Sequence, residues 1–151
     1  MNSINEIPPE SVSWKTVHAR EKFNNTGIKL IKGDWYHIQA AVTEQWKDKN
    51  ITCNADGWKS ERFSNPMKKL FQLSERWRVM PEVDWFTLIG TYANHRQNHI
   101  ALGSECKFMS TFDDELLLSA NDIPWLYWNN SGQIKVSIKC LNGQLSSTDD
   151  E

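Results

Sequence analysis

The sequence predicts an all-β protein, a jelly-roll β-sandwich carrying one short helical insertion. Two patterns carry that prediction. Short runs of alternating polar and apolar residues recur between turn signals, and one stretch, residues 66–79, follows helical spacing instead. Size agrees: 151 residues with 39% apolar content suit one domain with a real core.

Residues 13–19 (SWKTVHA) alternate and read as a strand. Residues 24–27 (NNTG) read as a turn into a strand at 28–31, and Lys32-Gly33-Asp34 as a second turn. Residues 35–42 (WYHIQAAV) form a strong strand candidate with Tyr36, Ile38 and Ala40 on one face. Residues 48–57 (DKNITCNADG) read as a polar loop. In residues 66–79, Met67, Leu70, Phe71 and Trp77 fall at helical spacing; Asn65 is the expected N-cap, Pro66 the first-turn proline and Pro81 the stop. Residues 85–92 and 100–102 read as strands joined by an Ala-Asn-His-Arg-Gln-Asn connection. Residues 115–120 lead into a turn, and residues 133–141 (QIKVSIKCL) alternate cleanly, with Ile134, Val136, Ile138 and Cys140 inward. Many short strands with one helical excursion are the pattern of a sandwich.

The ends differ in composition. Residues 1–11 carry Pro8-Pro9 and little apolar content and are expected to be flexible. Residues 12–141 make the single domain, and the polar, acidic residues 142–151 are expected to be disordered. A net charge of −2 gives no electrostatic reason to bind nucleic acid or an acidic membrane. No apolar run approaches the roughly 18 residues that membrane insertion requires. The first ten residues lack the basic-then-apolar order of a secretory signal, so the expected location is cytoplasmic, with export by a non-classical route left open. Cys53, Cys106 and Cys140 are odd in number and irregular in spacing; they read as reduced core thiols, a single disulfide being the alternative. Eight tryptophans exceed what a core of this size needs, so some are expected on a binding surface.

The segment with chemistry is residues 121–132 (NDIPWLYWNNSG), which supplies one carboxylate and three carboxamides: Asp122, Asn121, Asn129 and Asn130. Calcium takes roughly six to eight such oxygens at about 2.3–2.6 Å. Pro124 stiffens the chain after the carboxylate, and Gly132 allows the backbone to re-enter a strand. Spacing alone leaves two readings, a calcium loop or an ordinary turn built from common turn formers. A second oxygen-rich stretch, Asp48-x-Asn50 with Asn54-x-Asp56-Gly57, lacks the glutamate that closes an EF-hand. It is either a solvated loop or a neighbour of the 121–132 turn that brings Asp56 and Trp58 to a ligand. His95-x-x-x-His99 sits in a loop-like run without further metal ligands, and no catalytic set is recognisable, so the protein is read as a non-enzyme.

Residues 121–136 resemble, without gaps, the calcium and sugar loop of the galactophilic bacterial lectins of PA-IL type, which are small jelly-roll proteins. The segment keeps Asn121, Asp122, Pro124, Tyr127, Asn129, Asn130, Ser131 and Gly132 of that pattern. The resemblance implies a calcium-dependent carbohydrate-binding protein, with Ca2+ held by Asp122, Asn129, Asn130 and the carbonyl of Leu126. It also implies a galactoside or related sugar that gives two vicinal hydroxyls to the metal and touches Asp122, Ile123 and Asn129. The lectins carry glycine where this chain has Trp125 and Trp128, so these indoles either stack on the sugar or cover the site. The family's His and Gln contacts have no counterpart in residues 59–81, which leaves the choice of sugar open. A protein-interaction module on the same fold, with structural calcium or none, is the alternative. Lectins gain strength from several weak sites presented together, which makes a homo-oligomer plausible.

Overall fold

The computed structural model describes residues 4–8 and 11–141, and these form a two-sheet antiparallel β-sandwich. The strands are β1 (Val12–His18), β2 (Asn24–Leu30), β3 (Trp35–Ala40), β4 (Trp46–Asp48), β5 (Ile51–Cys53), β6 (Asp56–Trp58), β7 (Trp85–Tyr92), β8 (His95–Ala101), β9 (Glu105–Met109), β10 (Asp114–Ala120) and β11 (Asn130–Cys140). One sheet runs β5-β4-β11-β3-β9, with β1 also on β11; the other runs β2-β10-β7-β6, with β8 on β7.

Strand β11 is the spine of the first sheet. Asn130, Ser131 and Gly132 pair with β4, Val136 to Cys140 with β3, and Gln133 to Lys139 with β1. Alternation decides which face is buried, because successive side chains of a strand point to opposite sides. Ile134, Val136, Ile138 and Cys140 are buried as predicted, together with Tyr36, Ile38 and Ala40 of β3. They meet Phe86, Leu88, Leu116, Leu118 and Ala120 from the second sheet in one core cluster. Each fully buried large aliphatic side chain contributes roughly 1.5–3 kcal/mol over an exposed one.

Several local expectations are corrected. Residues 24–27 are strand, not turn: Asn24 Nδ2 donates to the Leu118 carbonyl at 3.0 Å and Thr26 Oγ1 to that of Leu116 at 2.6 Å. These polar side chains make β2 by bonding inward to β10, where the register shifts between Glu115 and Leu117. The expected polar loop at 48–57 instead holds β5, the end of β4 and the start of β6, each strand three residues long. The expected connection at 93–98 is largely β8, whose His95 already pairs with Tyr92. Strand β9 was not foreseen, because only Phe108 of its five residues is buried.

The helical insertion exists but is shorter than residues 66–79. Helix α1 (Met67–Ser74) runs into a 3-10 turn over Glu75–Trp77, which ends before Pro81. Pro66, not Asn65, occupies the N-cap position, and no side chain caps it. No residue of α1 is fully buried. The helix is anchored by Phe71, whose ring lies 4.9 Å from Trp58 and 5.1 Å from Phe63. Of the residues expected to be flexible at the N-terminus, Asn5 bridges Ile28 of β2, and Ile7 packs against the core. The expected disordered tail, residues 142–151, lies outside the described residues.

Candidate functional site

The turn between β10 and β11 sits where β4 and α1 meet it. Its first residue, Asn121, is spent on structure. Its Oδ1 accepts from the Met80 amide at 2.9 Å, and its Nδ2 donates to the carbonyls of Met80, Val83 and Asp84 at 3.0, 2.9 and 3.1 Å. Every polar atom of that side chain has a partner, so Asn121 clamps residues 80–84 to the end of β10. Tyr127 pins the far side of the turn by donating its hydroxyl to the Ala120 carbonyl at 2.5 Å. A 3-10 turn over Tyr127–Asn129 then feeds β11. Gly132 has φ +88°, and a Cβ there would meet the Trp46 Cα at 3.0 Å, so glycine is what lets β4 lie close against the start of β11.

Asp122 is 2% exposed. One carboxylate oxygen accepts from the Ile123 amide at 2.7 Å and the other from Asn130 Nδ2 at 3.0 Å. Burial raises its pKa, while the bonds from Asn130 and Ile123 work in the opposite direction. Asn130, 3% exposed, also donates Nδ2 to the Ala19 carbonyl at 3.1 Å. Two acceptors therefore fix which end of its amide is nitrogen and turn the oxygen the other way. That oxygen has no hydrogen-bond partner, and neither does the buried Oδ1 of Asn129. Buried polar atoms are nearly always satisfied, so two orphan acceptors one residue apart are where a cation, or a proton donor such as water, would be held. The Leu126 carbonyl accepts only a long bond, 3.4 Å, from the Asn129 amide, and keeps a free lone pair.

Opposite the turn stands Asp48, the last residue of β4 and the register partner of Asn130. Residues directly opposed on antiparallel strands point to the same face. Burial, then the charge of Asp122, pushes the Asp48 pKa up to about 7. The Trp58 indole N–H pulls it down slightly, although it forms no hydrogen bond of normal geometry. Among the described residues no Lys, Arg or His forms an ion pair with Asp48 or Asp122.

Asp48, Lys49, Asn50, Asp122 and Asn129 give the polar part of the lining of a cavity of about 480 Å³. Phe63, Met67, Leu70 and Phe71 from the segment around the helical insertion, with Ile123 and Leu126 from the turn, give its apolar part. Trp85 also lines the cavity; its ring stacks on Trp58 at 5.4 Å, and its Nε1 donates to Ser60 Oγ at 3.0 Å. A mostly apolar cavity with a few polar groups is the form of a small-ligand site.

Of the sequence-predicted site residues, Asp122, Ile123, Leu126 and Asn129 line this cavity, and Asn130 abuts it through its bond to Asp122. Trp125 and Trp128 do not line it; they are 63% and 67% exposed, and Trp125 leans on Trp77 with ring centroids 6.4 Å apart. Trp46, Trp58 and Trp85 are core residues, whereas Trp14, Trp35 and Trp77 join Trp125 and Trp128 at the surface. From the second oxygen-rich stretch residues 48–51 reach the cavity, Asp48 and Asn50 among them. Asp56 instead accepts from the Ser104 amide and hydroxyl at 2.8 and 2.9 Å, and Trp58 is buried. Asp48 was visible in sequence only as part of that oxygen-rich stretch; the pairing of β4 with β11 is what brings it to the turn. His95 and His99 do not converge: one bonds Asp114 at 3.0 Å, the other Thr91 at 2.9 Å.

No protein-family profile matches the chain, and no curated protein matches it in sequence. In three dimensions it is similar to the N-terminal domain of EclA, described as a PllA-like lectin. The TM-score is 0.55 at 16% identity, over 84% of this chain and 94% of that one. At that identity the likeness is one of fold: the chain has the β-sandwich architecture found in a lectin domain.

Proposed function

We propose that the protein is a calcium-dependent carbohydrate-binding module whose metal sits in the turn between β10 and β11. The observation that carries this reading is the pair of buried, unpartnered amide oxygens on Asn129 and Asn130, beside the buried carboxylate of Asp122. A hard dication would satisfy such oxygens. Asp122, Asn129, Asn130 and the Leu126 carbonyl would hold it, and calcium when bound supplies positive charge and open positions for vicinal hydroxyls. The sugar ring would then lie along Ile123 and the rim of the cavity, with Trp125 and Trp128 exposed beside the turn for its apolar face. The lectin fold of the EclA domain supports the same reading. The proposed sugar is a galactoside or another ring with a suitable vicinal diol.

The test is a glycan array read with calcium and again with chelator. Binding that vanishes with chelator and returns with calcium is expected. No bound glycan at saturating calcium would overturn the proposal.

One observation favours a second reading, a protein-interaction surface on the same fold. Met67, Leu70, Leu73 and Trp77 of the helical insertion are exposed, as are Trp125 and Trp128. Exposed apolar residues gathered in one patch mark interaction sites. Tight capture of a protein partner that persists in chelator, without glycan binding, would favour it.

A further inference from the structure

We propose that the Asp48 carboxylate is itself a ligand of the cation, so that strand β4 and the β10–β11 turn are clamped together by two acidic side chains. This rests on the calcium reading above and adds to it a residue from a different part of the chain.

Three features lead there. First, Asp48 is the direct register partner of Asn130, and the two side chains leave the sheet on one face. Second, Asp48, Asp122 and Asn129 line the same cavity. Third, the neighbouring amide oxygens of Asn129 and Asn130 are buried without a partner, and Asn130 is held by its two Nδ2 bonds so that its oxygen cannot turn to find one. Among the described residues neither carboxylate has an ion-pair partner, although Lys49 also lines the cavity, so the two acids would repel one another across a site of low polarity. A dication between them removes that repulsion and satisfies the orphan amides together.

The donor count agrees. Side-chain oxygens of Asp48, Asp122, Asn129 and Asn130 with the Leu126 carbonyl supply five donor groups, leaving roughly one to three positions of the roughly six to eight that calcium takes. That is the space a vicinal diol needs. Two carboxylates also neutralise the ion, which raises its affinity over a site with one acid and neutral amides.

The experiment compares wild type, Asp48→Asn and Asp48→Ser by calcium calorimetry and by thermal unfolding with calcium and with chelator. Wild type is expected to bind one calcium, and both variants to bind it about tenfold or more weakly. In chelator both variants should melt at or above the wild-type temperature, because the facing charge is gone. Their calcium-induced rise in Tm should shrink or vanish. A purely structural Asp48 would give the reverse, a lower melting temperature in chelator with calcium affinity kept. Wild-type calcium binding with variants within about twofold of it would overturn the Asp48 assignment alone. Absence of wild-type calcium binding would overturn both this and the calcium reading.

Discussion

Asp114 and Asp122 are both buried carboxylates, 3% and 2% exposed, at opposite ends of β10, and the molecule treats them in opposite ways. Asp114 is fully accommodated. It accepts from the Asn94 amide at 2.6 Å, Asn94 Nδ2 at 2.8 Å, His95 at 3.0 Å and the Glu115 amide at 2.8 Å. Burial alone would push its pKa up, but the donors from His95, Asn94 and Glu115 outweigh that and hold it below the usual carboxylate value. Asp122 has two donors, an acid opposite it in Asp48 and two orphan amide oxygens around it, and its pKa is raised. Burial by itself therefore does not distinguish a structural acid from a ligand-binding one. The distinction is whether the chain supplies the compensating donors or leaves them to something else.

The comparison breaks most sharply under pH. Asp48 has its pKa raised from 3.8 to about 7, so the folded state binds more protons than the unfolded one across that interval. Stability of the calcium-free protein should then fall as pH rises from about 4 to about 7, by up to about 4 kcal/mol if the whole shift is expressed. Saturating calcium should flatten that slope. Asp114 has the opposite sign: its contribution is present above about pH 4 and is lost only as pH falls through its lowered pKa. Urea unfolding at a series of pH values, with and without calcium, measures both.

Substitution separates the two acids next. Asp122→Asn should weaken calcium about a hundredfold, or about 2.7 kcal/mol, in calorimetry, and cost about 1 kcal/mol in chelator, because its amide nitrogen must face the Ile123 amide or Asn130 Nδ2. Asp114→Asn should do the converse, losing about 2 kcal/mol in chemical unfolding with calcium affinity unchanged, because it breaks charge-assisted hydrogen bonds far from the cavity. The smallest effect belongs to the rim. Trp125→Ala should reduce glycan affinity by about 1 kcal/mol, roughly fivefold, and leave the calcium isotherm as it was. A Trp125→Ala protein that binds glycans as tightly as wild type would remove that indole from the sugar site.

How much of this the sequence disclosed depends on how local the signal was. Strands β3, β7, β10 and β11 were legible because their alternation or apolar runs are long. Strands β4, β5 and β6 were hidden because each spans three residues, and β9 because only Phe108 turns inward. Strand β2 was half missed for a different reason: Asn24 and Thr26 look like turn residues but act as buried donors to the β10 backbone. The site divides the same way. Asp122, Asn129 and Asn130 lie within nine positions of one another and could be read together. Asp48 lies far from them in sequence and joins them only through the Asn130–Asp48 register. Asn121 shows the converse limit, since composition counts it with the other amides while its four hydrogen bonds commit it to the 80–84 segment.

The most direct measurement is a calorimetric calcium titration of chelator-treated wild type beside Asp122→Asn, each paired with its thermal unfolding curve. The orphan oxygens of Asn129 and Asn130 predict one calcium per chain for wild type, a Tm that climbs with calcium concentration, and both shifted to about hundredfold higher calcium in Asp122→Asn. No heat and no change in Tm for wild type at millimolar calcium would contradict the account.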